Sequence, residues 1–160
     1  MRLYLVALFI TALTACGFHL RGPSDIPFSS ISIEGNTLVI SRDLVRSLNT
    51  SDIAILHSPK DAELRLELLG EENEKRILSL AGAGTVNEYE LYYRVHYRTK
   101  LADQATWSEV NTIESRRDFT YSDADLLAKQ TEEKRLNDSM QQDVLNGLMR
   151  RLSTLKKQRQ

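Results

Sequence analysis

A single cysteine, Cys16, stands in 160 residues, so no disulfide can form within the chain and a disulfide scaffold is excluded. Histidine is nearly as scarce: His19, His57 and His96 lie too far apart to make a zinc-finger ligand pair. Charge of one sign is also lacking, because 21 Lys plus Arg meet 22 Asp plus Glu. General nucleic-acid binders draw most of their affinity from a positive excess, so no nucleic-acid partner is expected. No apolar run is long enough to cross a bilayer: residues 3–15 reach about 20 Å at ~1.5 Å per residue, against a hydrocarbon core of ~30 Å. There is no G-x-S-x-G elbow, H-E-x-x-H pair, EF-hand loop or P-loop. No catalytic residue, metal or other cofactor is therefore assigned, and the chain reads as a protein that is not an enzyme. What is present, 41% hydrophobic and 27% charged residues, suits one globular domain.

The lone cysteine has a context. Arg2 supplies a positive charge, residues 3–13 are mostly apolar, and Leu13-Thr14-Ala15 lead into Cys16. A basic start, a short apolar stretch and small residues before a cut are the parts of a secretory signal peptide. Leu-Thr-Ala-Cys resembles a lipobox, in which the cysteine thiol receives a diacylglyceryl group and becomes the new N-terminus. Residues 1–15 are then a lipoprotein signal peptide, Cys16 the lipidation site, and residues 16–27 a tether with Gly17, Gly22 and Pro23 as breakers. Three acyl chains hold a protein on a membrane where one holds only marginally. Asp after the cysteine resembles the inner-membrane retention signal. With Gly17 in that place, the resemblance implies an outer-membrane anchor on the periplasmic side.

Residues 28–160 read as one α+β domain. Ile31 and Ile33 alternate with Ser30 and Ser32, the period of a half-buried strand, and Gly35-Asn36 ends it. Leu44, Val45 and Leu48 make a short amphipathic helix, with Ser41 able to accept from its free amides. Residues 52–56 form a small strand closed by Ser58-Pro59. Ala62, Leu64, Leu66 and Leu68 alternate with Glu63, Arg65 and Glu67; the polar residues 70–76 then interrupt before residues 77–80, as either a bulged long strand or a hairpin would require. Gly82 and Gly84 suit a hairpin turn.

The strongest strand covers residues 85–101. Tyr89, Leu91, Tyr93, Val95 and Tyr97 share one face; Tyr92, Arg94, His96, Arg98 and Lys100 share the other. This basic, aromatic stripe could meet phosphates or acidic sugars, but the favoured reading is a solvated face paired with Glu63, Glu67 and Glu114 on neighbouring strands. Residues 107–120 give a further strand region with Val110, Ile113 and Phe119 as apolar points. One long helix completes the chain. Its apolar stripe is Leu126, Leu127, Leu136, Met140, Val144, Leu148, Leu152 and Leu155, with Ser122 or Asp123 as cap and Arg150, Arg151, Lys156, Lys157 and Arg159 at its electronegative end. The expected architecture is a two-layer sandwich: a mainly antiparallel sheet of four to five strands with one short and one long helix on one face.

These pieces together resemble the LptE family of lipopolysaccharide-assembly lipoproteins, also called rare lipoprotein B. The resemblance rests on Cys16-Gly17-Phe18-His19-Leu20-Arg21, on Asn87-Glu88-Tyr89-Glu90-Leu91, on Phe119-Thr120-Tyr121 with Leu127-Ala128-Lys129, and on Glu132-Glu133 leading to Leu148-Met149-Arg150-Arg151-Leu152. It implies a subunit that plugs and helps assemble the LptD outer-membrane β-barrel and binds lipopolysaccharide during its insertion. It also implies a lipopolysaccharide contact at Lys129. A second basic family position falls on the loop containing Gly82 and Gly84, so Arg76 or Arg94 would have to compensate, and the small-residue loop itself would suit insertion into the barrel. The alternative reading is an accessory outer-membrane lipoprotein that binds a small molecule or glycan in another envelope system.

Overall fold

The structure is a computed structural model that describes residues 26–82 and 84–155. Cys16, the signal peptide, most of the tether and the C-terminal Lys156, Lys157 and Arg159 lie outside the described residues. The elements run β1 (Ser30–Gly35), α1 (Ser41–Thr50), β2 (Ala54–Ile55), β3 (Leu64–Leu80), β4 (Val86–Leu101), β5 (Asn111–Thr120), a 3-10 turn (Asp123–Asp125) and α2 (Leu126–Thr154). The five strands form one mixed sheet in the order β2-β1-β3-β4-β5. β1 lies parallel to β2 and β3, whereas the β3–β4 and β4–β5 pairs are antiparallel. This is the expected α+β sandwich, with both helices on one face of the sheet.

The core forms where the sheet's apolar alternation meets the helices. Leu91, Val95 and Tyr97 of β4 and Leu64, Leu66 and Leu68 of β3 pack against Leu44 and Leu48 of α1 and against Met140, Val144, Leu148 and Leu152 of α2. Full burial of such side chains stabilises by roughly 1.5–3 kcal/mol each. The long helix departs from its expected stripe at the start: Leu127 is 80% exposed and Leu126 also faces solvent, because the helical layer there has run beyond the core. Val110 is exposed as well, since β5 begins only at Asn111.

Two expected caps fall elsewhere. Ser41 accepts from the Leu38 amide at 2.9 Å, closing the turn before α1. Neither Ser122, before the 3-10 turn, nor Asp125, its last residue and the one preceding α2, makes a side-chain cap bond.

Between Leu68 and Gly70 a bulge shifts the β3 register. A one-residue slip moves every later side chain to the opposite face. Glu71, Asn73, Lys75 and Ile77 therefore pair with Val95, Tyr93, Leu91 and Tyr89 on the helical side, while Glu72, Glu74 and Arg76 join Arg94, Tyr92 and Glu90 on the open side. The residues that seemed to interrupt the pattern are thus the continuation of one 17-residue strand. At about 3.3 Å per residue it reaches some 55 Å. β1 pairs with it only as far as Leu68, and β5 follows β4 only as far as Glu88, so the hairpin tip extends past both neighbouring strands.

Candidate functional site

The open face of the sheet carries an ion lattice. Arg94 sits at its centre, pairing with Glu114 of β5 and with Glu72 and Glu74 of β3, with its side chain 18% exposed. Arg76 holds Glu74 in a two-pronged bond at 2.7 and 2.6 Å. Both guanidiniums lie on the Tyr92 ring, at 4.8 Å for Arg76 and 4.5 Å for Arg94. The Tyr92 hydroxyl donates to Glu90, which Arg116 also engages at 3.0 Å. Lower on the face, Arg65 binds Glu34 in two-pronged fashion and Arg98 binds Glu67, with both guanidiniums over the Trp107 ring. His96 contacts Thr112 at 2.8 Å and Glu72 at 3.3 Å. Glu67 and Glu114 take the neighbouring-strand places expected of them, and Glu63 accepts from the Ser29 amide at 3.0 Å. The basic stripe is therefore a neutralised surface, in which a ligand phosphate must compete with carboxylates already in place.

The lattice sets the protein's acid response. The Arg65 hydrogen bonds hold the Glu34 carboxyl below its ordinary range, and Arg76 does the same for Glu74. A carboxyl depressed on folding contributes stability that is present above its unfolded pKa and is lost as pH falls through the folded one. Urea unfolding followed from pH 7 to 3 is expected to show a falling midpoint. Arg65→Gln should lower the midpoint most at neutral pH, and its deficit should narrow in acid as Glu34 protonates. A deficit constant with pH would mean that the contact with Trp107 alone stabilises this corner.

Lys129 lies on the other layer. Its Nζ donates to Glu132 at 3.0 Å and to Thr120 Oγ1 at 3.2 Å, and the side chain is 19% exposed. Arg76 and Arg94 are thus brought together around Glu74 and Tyr92, while Lys129 is held on α2. The sequence pattern missed Lys75, which the bulge turns to the helical side. Lys75 Nζ meets Glu133 of α2 at 2.6 Å and stands 4.1 Å from the Tyr89 ring centre, with Phe119 and Tyr121 at 5.5 and 5.8 Å. The Tyr89 ring stacks on Phe119 and meets Tyr121 edge-on. A caged ammonium gains both from the ring faces and from the carboxylate. No sequence signal marks it, since alternation counted through Gly70 without a bulge puts Lys75 on the wrong face.

The hairpin tip is the second candidate region. Ile77, Leu78 and Leu80 are 58%, 46% and 59% exposed. Ile77 pairs with Tyr89 on the helical side and Leu80 with Val86 on the open side, so apolar groups stand on both faces. A side chain added at Gly82 or Gly84 would meet nothing within 4 Å, and Gly84 has a φ of +78°, a conformation that glycine adopts without strain. Leu126 and Leu127 add apolar surface at the same end, where α2 begins after β5. Such a grouping marks a contact surface more often than scattered single residues do.

Comparison with known proteins gives these features a setting. A family model described as LptE, lipopolysaccharide-assembly, matches residues 28–152. The LPS-assembly lipoprotein LptE of Photorhabdus laumondii is 26% identical over 157 residues, spanning 94% of this chain and 84% of that protein. The solution structure of an uncharacterized lipoprotein B from Nitrosomonas europaea is 35% identical with a TM-score of 0.74, covering 86% of this chain and 90% of its own. The crystal structure of rare lipoprotein B from Shewanella oneidensis shares the fold at a TM-score of 0.70 and 24% identity, covering 78% and 94% of the two chains.

Proposed function

The chain belongs to the LptE family of lipopolysaccharide-assembly proteins, and from that membership we propose that it is a lipid-anchored subunit that plugs and helps assemble an LptD-type outer-membrane β-barrel and binds lipopolysaccharide during its insertion. In this reading Cys16 carries the lipid and the domain works on the periplasmic side of the outer membrane. The observation that carries the barrel contact is the β3–β4 hairpin, whose tip extends past the neighbouring strands with apolar groups on both faces. An element apolar on both sides suits a partner that encloses it, and a turn containing Gly82 and Gly84 takes little room in a crowded lumen. The role asks for shape and rigid elements; no catalytic group is needed.

Lipopolysaccharide contact falls to cations that can change partners. Lys129 is held by a single ion pair and a hydroxyl, and Arg76 and Arg94 share the Glu74 carboxylate. A phosphate can replace a carboxylate on Arg without loss of geometry, because the guanidinium fork fits both. Lys129→Glu is expected to weaken lipopolysaccharide binding about tenfold at low salt, the scale of one charge-assisted hydrogen bond, and to leave barrel assembly intact. Equal affinity of parent and variant in a direct titration would remove Lys129 from the contact.

The test of the whole reading is to tag the chain after Gln160, solubilise outer membranes in mild detergent and identify by mass what copurifies. A stoichiometric large β-barrel is expected. Its absence from intact, membrane-bound protein would overturn the barrel role and favour an accessory lipoprotein that binds a small molecule or glycan.

A further inference from the structure

The upper half of β3 has an edge that no strand of the sheet covers. β1 pairs with β3 from Leu64 to Leu68, and β3 then continues to Leu80 with β4 as its one neighbouring strand among the described residues. The bonds at the bulge fix which backbone groups face the open edge. The Leu68 carbonyl accepts from the Asn36 amide and the Leu69 carbonyl from the Asn36 side chain, so both point toward β1, whereas Gly70 resumes the ladder opposite His96. Successive residues of a strand turn their N–H and C=O to alternate sides. The backbone of Glu71, Asn73, Lys75 and Ile77 therefore faces the open edge, and that of Glu72, Glu74 and Arg76 faces β4. Residues 71–77 run without a register shift and measure about 20 Å at ~3.3 Å per residue, the usual length of a paired strand.

Native proteins guard such an edge with free charges, proline or a covering element. Residues 71–77 contain no proline, and their charges are engaged within the chain. Glu72 is held by Arg94 and His96, Glu74 by Arg76 and Arg94, and Lys75 by Glu133 of α2, while Arg76 lies on the Tyr92 ring. Exposed apolar side chains flank the stretch at both ends. Val39, whose amide donates to the Glu71 carboxylate at 2.6 Å, stands at the end nearest the bulge, and Ile77, Leu78 and Leu80 stand at the tip. The outer strands of the sheet offer less. β2 is two residues long, and in β5 the Arg116 carbonyl already accepts from the Arg117 guanidinium at 2.7 Å, with no exposed large apolar side chain along the strand.

We propose that an extended segment of the β-barrel partner adds a strand to β3 along residues 71–77. The inference rests on the barrel reading above and names the contact by which the barrel chain holds this subunit. Four residues present N–H and C=O groups in a row at ladder spacing, and an extended backbone is the partner that answers all of them. The wall strands of a closed barrel are already paired on both sides. The added strand therefore comes from a loop or terminal segment of the barrel chain. Its side chains are apolar where they meet Val39 and Ile77, and polar but uncharged between, because the charges of β3 are already neutralised.

The experiment uses the lipidated chain tagged after Gln160, with Asn73→Pro and Asn73→Ala as the variants. Proline removes one outward N–H and is tolerated on a strand edge whose N–H faces solvent, so urea unfolding of the two purified variants is expected to agree. Asn73→Pro is expected to reduce barrel recovery about tenfold, because a carbonyl of the added strand loses its donor, and Asn73→Ala to stay within about twofold of the parent. A second measurement needs no variant: amide exchange of the parent chain alone and in the barrel complex. The amides of Asn73, Lys75 and Ile77 are expected to exchange fast in the free protein and roughly a hundredfold slower in the complex, with those of Glu72, Glu74 and Arg76 slow in both. Full barrel recovery with Asn73→Pro, or outward amides that stay fast in the complex, would overturn strand addition and leave side-chain docking of the tip. Absence of a barrel with the parent chain would overturn the barrel reading, and strand addition with it.

Discussion

Gly35→Ala is expected to destabilise the protein by about 3–4 kcal/mol and to lower its melting temperature by roughly 10 °C. Gly35 closes β1 with a φ of +87°, a region that costs an L-residue roughly 1–2 kcal/mol. An added Cβ would also stand 2.3 Å from the Leu68 carbonyl oxygen. That oxygen is not free to move, because it accepts from the Asn36 amide at 2.9 Å while the Asn36 side chain donates to the Leu69 carbonyl at 2.6 Å. Both bonds tie the end of β1 to the bulge that sets the register of the upper hairpin. Gly84→Ala is the matched comparison. Its φ is also positive, but nothing lies within 4 Å of the added carbon, so only the backbone strain remains and a loss of about 1 kcal/mol is expected. Thermal or urea unfolding of the two variants separates strain from collision. Similar losses would mean that Leu68 yields and that the register is not held at this point.

Ile77→Glu combined with Leu80→Glu should leave unfolding free energy within about 0.5 kcal/mol of the parent, as expected for side chains already in solvent. It should nonetheless cut recovery of the β-barrel with the tagged chain at least tenfold. Burying one such side chain in an interface contributes roughly 1.5–3 kcal/mol, and a carboxylate in the same place adds a desolvation cost. The pair tests both faces of the hairpin together, since Ile77 stands beside Tyr89 and Leu80 beside Val86. Lipopolysaccharide titration of the same variant should match the parent, because Lys129, Arg76 and Arg94 are untouched. Undiminished barrel recovery would show that the tip is not an anchoring element, and the exposed pair Leu126 and Leu127 would become the next surface to change.

How much of this was legible before folding follows from the range of each interaction. Alternation along residues 91–101 marked the buried and open faces of β4 residue by residue, because pleating is a local property with a period of two. The four-residue spacing of Met140, Val144, Leu148 and Leu152 marked the buried seam of α2 in the same way. Residue types also announced the charge lattice: Glu67 and Glu114 were the expected partners of the basic stripe, and they are found there. The same local reasoning failed where the chain stops obeying one period. Spacing left open a bulged long strand or a hairpin over residues 62–80, and the bulged strand is what forms; it did not place the bulge, and counting through Gly70 without it leaves Lys75 on the wrong face. Leu126 and Leu127 fit the helical stripe but face solvent, since a stripe says nothing about where the opposite layer ends.

The sequence by itself therefore determined the α+β class, the buried side of β4 and of the C-terminal half of α2, and the near-balance of charge, all consequences of spacing and composition within a few turns or strand residues. Only the tertiary structure decided the place of the bulge after Leu68, the aromatic box around Lys75 and the collision that reserves position 35 for glycine. Each of these depends on groups separated by dozens of positions, such as Gly35 and Leu68 or Lys75 and Glu133, whose meeting is set by strand register and layer packing.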